Sequence, residues 1–297
     1  MRQLLYKIFP ASWVPYILHT RPRAWLIMTA HMSIGFLLAN GLDFTGQHIR
    51  QWLFAVVAWA IFGGGGTLAI NSAYDRDEGD IGYLDNPPPV PRYLALFAII
   101  FMAIGLPFAI YLGWRFLAAT AACFVMSILY SVPPFRFKAR AGLDVLINSI
   151  GFGALTIYAG WAAANHPTQA PIINVSLAFF FFFLGFYPLT QIYQMEEDSS
   201  RGDKTLSLAL GKKNALLVAC IGVGIGFSFL LLETIQNYMQ PRSLGLILAF
   251  IAWIAVLIPW CIKYRDVDVR YEKRGFYLAL YAWALTDIAV AVAMIPV

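Results

Sequence analysis

Charged residues are scarce in this sequence. Asp, Glu, Lys and Arg make up 12% of its 297 residues, whereas hydrophobic residues make up 60%. An ordinary soluble domain has about 25% charged and about 45–50% apolar residues. The composition therefore excludes a water-soluble globular protein.

Cysteine and histidine are also rare. The three cysteines, Cys123, Cys220 and Cys261, lie inside apolar runs, form an odd number and lack the spacing of a metal site. We therefore expect buried thiols rather than a disulfide framework or a zinc centre. The four histidines are scattered and lie outside the acidic clusters described below, so interfacial or loop positions are expected for them and a histidine base is not.

Apolar residues occur in blocks of about 20, the length of a helix that crosses about 30 Å of hydrocarbon. A run such as Val175–Leu184 lacks the alternation of a transmembrane β-strand. The pattern predicts an all-α polytopic membrane protein with nine transmembrane helices. The predicted spans are 22–40, 51–71, 93–113, 116–132, 144–164, 172–194, 214–234, 244–262 and 276–295.

The basic residues indicate an orientation for these spans. Of the 21 Lys and Arg residues, 18 fall on one side, and the other side has only Arg50, Arg115 and Arg242. The positive-inside rule places the richer side in the cytoplasm, so we predict a cytoplasmic N-terminus and a C-terminus outside. Because the positive charge is divided among short loops, a nucleic-acid partner is not expected.

No soluble domain or long linker is visible, so the sequence predicts one membrane-embedded domain over residues 1–297. Its cytoplasmic loops are expected at about 72–92, 133–143, 195–213 and 263–275. The first residues lack the long apolar core and cleavage site of a signal peptide and are interpreted as an interfacial segment. The expected location is a bacterial or archaeal cell membrane or an organellar inner membrane, with the lipid bilayer as a partner.

Two acidic clusters lie where predicted spans end on the cytoplasmic side. Residues 71–85 contain five acids and residues 194–204 contain four. Asn71 and Asp75 share a helix face, and Gln194 and Asp198 repeat the spacing. Such grouping is unfavourable unless a cation neutralises it, and hard oxygen ligands favour Mg²⁺, which commonly bridges carboxylates and substrate phosphates. The alternative is a hydrated acidic loop.

A basic segment lies between the clusters. Pro133 and Pro134 end a span, and Arg136, Lys138 and Arg140 follow at every second position. In an extended chain these three side chains project to one side, an arrangement that suits a polyanion. Ordinary anchoring of a membrane protein by basic loop residues explains the charges equally well.

Three motifs, in their order and spacing, resemble the UbiA-type intramembrane prenyltransferases. They are Asn-x-x-x-Asp-Arg-Asp at 71–77, Tyr-Ser-x-Pro-Pro-x-Arg-x-Lys at 130–138 and Glu-Glu-Asp-x-x-x-Gly-Asp-Lys-Thr-Leu at 196–206. The resemblance covers nearly the whole chain. It implies a ring of nine helices around a central cavity and Mg²⁺-dependent transfer of a prenyl group from a prenyl diphosphate to a lipophilic or aromatic acceptor.

The resemblance also implies roles for individual residues. Asn71 and Asp75 match the first two members of the family's first metal-binding motif, and Asp198 matches the second acid of the later motif. Gly79 and Gln194 replace acids that the family carries, and neighbouring acids would have to substitute for them. The expected sets are metal ligands Asn71, Asp75, Glu78, Asp80, Gln194, Glu197 and Asp198; catalytic residues Asp75, Asp198, Tyr130 and Lys138; and diphosphate-binding residues Arg76, Arg136, Lys138 and Lys204.

Several further features bear on the chemistry or on helix packing. Tyr74, Tyr130, Tyr187 and Tyr193 are candidates for stabilising a carbocation through their ring faces, or else members of an interfacial aromatic belt. Asp287, inside the last span, is expected either to line the cavity or to form a hydrogen bond between helices. The glycine run 63–66 is expected to allow close helix approach or to bend its span.

Two other functions remain open at this level. A secondary transporter would also have many spans and intramembrane charge, although transporters usually place ionisable groups near the midplane. A catalytically weakened relative that binds isoprenoids is suggested by Gly79 and Gln194.

Overall fold

A computed structural model describes residues 2–75, 81–237 and 243–295. These residues form helices and loops. The helices are α1 Arg2–Ile8, α2 Val14–His19, α3 Pro22–Asn40, α4 Gly46–Asp75, α5 Leu94–Tyr111, α6 Trp114–Ser131, α7 Leu143–Ala163, α8 Ala170–Ile192, α9 Met195–Ser200, α10 Leu206–Asn237, α11 Leu244–Lys263 and α12 Val269–Met294.

In the described residues, eight helices are long and apolar enough to cross a membrane: α4 to α8 and α10 to α12. Helix α3 coincides with the first predicted span, but Arg23, His31 and Asn40 lower its mean hydropathy and it is not among the eight. The protein is thus an integral, multi-pass helical membrane protein, as predicted. The exact number of spans and the positions of the termini remain predictions.

Two helices extend into segments that the sequence assigns to loops. The predicted loop 195–213 contains α9 and the first turns of α10, and the predicted loop 263–275 contains the start of α12. Within α10, Gly211 has a positive φ of 74° and separates a short first segment from the membrane-spanning part. The hydropathy pattern missed α9 and the start of α12 because they are polar, and it missed the first segment of α10 because residues 206–210 are too few to form an apolar block.

Glycines bring neighbouring helices into backbone contact. A Cβ on Gly35 of α3 would lie 1.9 Å from the Ile157 carbonyl oxygen of α7, and one on Gly160 would lie 1.9 Å from the Met32 carbonyl oxygen. Similarly, Gly64 in the glycine run of α4 would place a Cβ 2.1 Å from the Met28 sulfur. The run therefore allows close helix approach, as expected, since larger side chains would separate the helices.

A central chamber of about 380 Å³ lies among these helices. In the described part of the chain, its lining comes from α3 to α9, α12 and the adjoining loops. Helices α10 and α11 pack outside, against α8 and α12 respectively. The chamber is polar at one end and mostly apolar and aromatic along its length, which matches the cavity that the resemblance implies.

Candidate active site

The polar end of the chamber, here called the mouth, is built around Asn71, Asp75, Lys138, Gln194, Asp198 and Asp203, all of which line it. Asn71 and Asp75 lie on the last turns of α4, which ends at Asp75. Their spacing along a continuous helix brings both to the lining, as predicted. The first acidic cluster therefore reaches the chamber at least through Asp75.

The second cluster reaches the mouth by a different route from the one predicted. Helix α8 ends at Ile192, and Asp198 lies on the separate short helix α9. The Asp198 amide donates to the Gln194 carbonyl oxygen at 2.9 Å, so one helical turn still separates the two residues. Gln194, Glu197 and Asp198 all line the chamber, and the helix break changes their direction without separating them.

The basic segment is not extended, contrary to the prediction. Residues Phe137–Ala139 form a 3₁₀ turn, preceded by Arg136 with a positive φ of 37°. The every-second-residue argument therefore fails, because it assumes a strand-like chain. Arg140 is exposed and stacks over Phe137, whereas Lys138 is buried at the mouth.

Acids and bases interlock at the mouth. The Lys138 ammonium contacts the Asp75 carboxylate. Arg136 lies 3.0 Å from Asp203 and 3.7 Å from Asp75. Since these contacts join α4, the basic segment and the chain before α10, the charges hold together three parts of the sequence that lie far apart.

The structure places two basic residues of this cluster differently from the prediction. Lys204, expected to bind diphosphate, is exposed and not among the lining residues, because the extended chain around it turns Asp203 and Thr205 inwards. Arg201, which the sequence reasoning did not single out, lines the chamber and lies 2.7 Å from Asp198 and 2.9 Å from Glu197. The missed signal was the (i, i+3) and (i, i+4) spacing from those acids.

Burial shifts the protonation equilibria at the mouth. Burial lowers the pKa of Lys138 below its usual value although Asp75 opposes the shift, and burial raises the pKa of Asp198 against the effect of Arg201. For Arg201 burial opposes the charge, but Glu197 and Asp198 outweigh it and the pKa is raised. The mouth thus holds charges that depend on one another for neutralisation.

Three of the four candidate tyrosines line the chamber. The hydroxyls of Tyr130 and Tyr187 are hydrogen-bonded to each other, and Tyr193 also lines the chamber. Burial raises the pKa of Tyr193. Tyr74 is 38% exposed and is not among the lining residues, since it lies on another face of α4 from Asn71 and Asp75.

Asp144 supports the mouth from behind and was not predicted. This fully buried carboxylate accepts hydrogen bonds from the Gln191 side chain at 2.6 Å and from the Leu206 amide at 2.8 Å. It therefore ties α7 to the end of α8 and to the start of α10. No local pattern marks Asp144, because its partners lie 47 and 62 residues away.

The remaining expected site residues, Arg76, Glu78 and Asp80, and the position of Gly79, lie outside the described residues. Within the described ranges, no three His, Cys, Asp or Glu side chains are grouped closely enough to hold a metal ion by themselves. The donors that do line the mouth are carboxylate and amide oxygens from Asn71, Asp75, Gln194 and Asp198. This all-oxygen set fits Mg²⁺ in its chemistry.

The opposite end of the chamber, here called the inner end, contains His31. Its Nδ1 lies 2.9 Å from Asp287 Oδ1, and its ring packs edge-on against Phe179 and Trp283. His31 lines the chamber and Asp287 does not, so of the two expectations for Asp287 the hydrogen bond between helices describes it. The expectation of an interfacial or loop position fails for His31.

The three thiols are half-buried rather than fully buried as expected. Cys123, Cys220 and Cys261 are unoxidised, and the sulfurs of Cys220 and Cys261 lie 3.7 Å apart between α10 and α11. These residues contribute to packing.

Sequence and structure comparisons agree with this architecture. The chain is 28% identical over 217 residues to a lycopene elongase/hydratase of Halobacterium salinarum, covering 69% of this chain and 74% of that protein. It is 27% identical over 271 residues to a digeranylgeranylglyceryl phosphate synthase of Pyrococcus horikoshii, covering 86% of this chain and 90% of that protein.

A solved structure has the same fold. The UbiA homolog of Archaeoglobus fulgidus, determined with GPP and Mg²⁺, superposes with a TM-score of 0.66 at 22% identity, covering 93% of this chain and 99% of that one. The model of the UbiA prenyltransferase family matches residues 26–284. With the helical fold, the acid-lined mouth and the apolar chamber in place, this match shows that the chain belongs to the UbiA prenyltransferase family of membrane enzymes.

Proposed function

We propose that this protein transfers a prenyl group from a prenyl diphosphate to a lipophilic acceptor in a reaction that depends on Mg²⁺. The observation that carries the proposal is the convergence of Asp75 and Asp198, 123 positions apart in the sequence, with Lys138 and Arg201 at the mouth of an apolar chamber. A diphosphate needs cations, a prenyl chain needs an apolar cavity, and this site offers both side by side.

In this proposal Asp75, Asp198 and the amide oxygens of Asn71 and Gln194 hold Mg²⁺, with Glu197 and the acids of residues 76–80 as further ligands. Bound there, the ion would neutralise diphosphate oxygens and stabilise the charge that develops on the leaving group. Arg136, Lys138 and Arg201 already contact the mouth carboxylates. They would turn to the diphosphate when metal ions take over those carboxylates.

The chamber walls serve the prenyl group. As the bond between the allylic carbon and the diphosphate oxygen breaks, the carbon becomes cationic. The rings of Tyr130, Tyr187 and Phe183 line the chamber and offer electron-rich faces without a strong nucleophile. Apolar walls also exclude water, which would otherwise capture the cation.

The comparisons favour a lipophilic acceptor without naming it. The relatives reported above are named for a carotenoid reaction and for a glyceryl phosphate lipid. Both names refer to large apolar molecules, and the chamber lining is also mostly apolar. We infer further that the mouth faces the cytoplasm or the equivalent compartment, in accordance with the distribution of Lys and Arg, and that residues 1–297 act as one domain.

The test is release of pyrophosphate by the purified protein in nanodiscs, with prenyl diphosphates of two lengths and a panel of carotene, quinone-precursor, chlorin and glycerophosphate acceptors. We expect release that requires both Mg²⁺ and one acceptor class, with the prenylated product detected by mass spectrometry. Asp75→Asn should lower release by about 10² to 10³. Asp85→Asn should leave release nearly unchanged, since Asp85 is exposed and paired with Arg23.

Other outcomes separate the alternatives. Tight binding of prenyl diphosphate without turnover on any acceptor would support the isoprenoid-binding relative that Gln194 suggests. Movement of a solute across proteoliposomes without consumption of prenyl diphosphate would support a transporter. Either result would contradict the proposed enzyme.

A further inference from the structure

The inner end of the chamber contains a buried polar atom that the chemistry at the mouth does not use. His31 Nε2 has no hydrogen-bond partner among the described residues, although the side chain is only 6% exposed. Other polar groups at this end are paired: Trp59 donates to Thr156 at 3.3 Å, and the Thr120 hydroxyl donates to the Phe116 carbonyl oxygen at 2.9 Å. A single unsatisfied atom in a lined cavity calls for a ligand.

The pairing with Asp287 determines whether His31 Nε2 donates or accepts a hydrogen bond. Nδ1 lies 2.9 Å from Asp287 Oδ1, and the two ring nitrogens point to opposite sides of the ring, so Nε2 is turned away from Asp287. An apolar site favours a pair without net charge, in which one proton is shared between Nδ1 and the carboxylate. On whichever of the two atoms that proton resides, Nε2 keeps its own hydrogen and is a donor.

The surroundings limit the ligand to an apolar molecule. Phe179 and Trp283 pack against the His31 ring with centroids 4.6 and 5.3 Å away. The mouth, in contrast, has acids and bases in quantity. An anion or a cation would bind weakly at the inner end, because His31 Nε2 is the one donor that the described residues offer there and its pair with Asp287 carries no net charge.

The distance from the mouth shows which part of a ligand reaches His31. Met28 contacts Gly64, which lies eleven residues before Asp75 on α4. At about 1.5 Å per residue this is about 16 Å, and His31 lies about one turn further, so roughly 20 Å separate it from the mouth. The ligand atom at His31 is therefore remote from the atom that receives the prenyl group.

We propose that His31, positioned by Asp287, is a specificity site for the acceptor: Nε2–H donates a hydrogen bond to an oxygen atom of a long, otherwise apolar acceptor lipid, roughly 20 Å from the prenylated atom. The oxygen belongs to a hydroxyl, ether or carbonyl group. This inference rests on the proposed prenyl transfer for the identity of the ligand as an acceptor, but the hydrogen-bonding site itself is testable without turnover.

The first experiment uses 2-dodecanone and dodecane as matched probes. The wild-type protein in nanodiscs, labelled with ¹⁵N-histidine, has four histidines, and His31→Gln identifies the His31 signals by their loss. We expect the ketone to shift the His31 Nε2 resonance and the alkane to leave it in place. Equal responses to both probes, or no response to either, would overturn the proposal whether or not the protein proves to be an enzyme.

The second experiment uses the acceptor found in the pyrophosphate-release screen. His31→Phe should raise its KM about tenfold, the effect of one lost hydrogen bond, with kcat within about twofold of wild type. His31→Gln, whose amide can donate, should restore KM to within about threefold of the wild-type value. A fall in kcat at unchanged KM, or equal losses in both variants, would show that His31 only supports packing and would overturn the specificity role.

Discussion

The two ends of the chamber hold their polar groups in opposite ways. At the mouth, Asp75, Asp198 and Asp203 are each contacted by at least one of Arg136, Lys138 and Arg201. At the inner end, one histidine and one aspartate form a pair inside an aromatic shell. The first arrangement can exchange partners with a charged ligand, because each ion has alternatives nearby. The second carries no net charge and can only donate one hydrogen bond, from His31 Nε2.

This difference separates two tasks that a membrane transferase must perform on one substrate pair. In the two proposals above, the mouth neutralises the diphosphate and the inner end, where the surroundings are apolar, selects the lipid. Changes at the mouth should therefore affect kcat, and changes at the inner end should affect KM for the acceptor.

The largest effect is expected from Asp75→Asn and Asp198→Asn. Each removes a carboxylate from the proposed metal site. Asp75→Asn also leaves Lys138 without its contacting carboxylate, and Asp198→Asn removes one of the three acids around Arg201. Pyrophosphate release should fall by about 10² to 10³, the usual effect of removing one electrostatic contact to a transition state. Asp85→Asn is the matched control, since this exposed residue should leave release within about twofold of wild type. If both mouth variants retained more than a tenth of the activity, the hypothesis that the mouth neutralises the diphosphate would be contradicted.

A smaller effect, about 10- to 100-fold on kcat, is expected from Lys138→Gln, because a buried ammonium beside Asp75 is lost. Lys204→Gln is the matched comparison: the sequence nominates both lysines, and the structure places only Lys138 in the lining. Steady-state kinetics should show Lys204→Gln within about threefold of wild type. If the two variants lost equal activity, the described arrangement of the mouth would be wrong.

At these two ends, the sequence predicted the features that depend on local spacing and missed those that depend on contacts between distant residues. Asn71 and Asp75 were found because one continuous helix carries both, and helical spacing is a local property. The sequence analysis chose Lys204 and not Arg201. The choice could not be made from the sequence, because the direction of a side chain in a short extended segment depends on its neighbours in space. The basic segment 136–140 was assigned a strand-like phase, and the chain forms a 3₁₀ turn there instead.

Long-range pairs escaped sequence reasoning altogether. His31 and Asp287 are 256 residues apart, and Asp144 meets Gln191 and the Leu206 amide only after α7, α8 and α10 have packed. Asp287 was recognised as unusual because a charge inside an apolar span needs a partner. Nothing in the local sequence showed which residue the partner would be, and histidine was expected at the surface.

The inner end is tested by Trp283→Leu, with an expected three- to tenfold rise in KM for the acceptor, in line with the loss of a few methylene-sized contacts. Trp283 packs on His31 and on Phe183 with ring centroids 5.3 and 5.5 Å away, so a smaller side chain widens this end. Phe54→Leu is the control, because Phe54 packs against Phe108 on the outside of the chamber lining. A kcat that falls in step with KM would show that the two ends are coupled.

The smallest effect concerns residues 81–92, which begin in the chamber lining and are here called the cover. Ile81, Gly82 and Tyr83 line the chamber, and the proline-rich segment after them is held by His19, whose Nε2 lies 3.1 Å from the Pro88 carbonyl oxygen. Burial lowers the pKa of His19 below its usual value of 6.5. The docked state therefore favours the neutral ring, and the released state takes up a proton more readily.

Docking should be fully stable above about pH 6.5 and should weaken as the pH falls below that value, since protonation then favours release. Hydrogen exchange of residues 81–92 at pH 7.5 and 5.5 measures this, with an expected two- to fivefold faster exchange at the lower pH after correction for the intrinsic rate. His19→Gln keeps a donor for Pro88 but does not titrate, so it should remove the pH dependence while leaving exchange at pH 7.5 close to wild type. An unchanged pH response in that variant would assign the effect to the mouth carboxylates, whose protonation loosens the ion pairs beneath the cover.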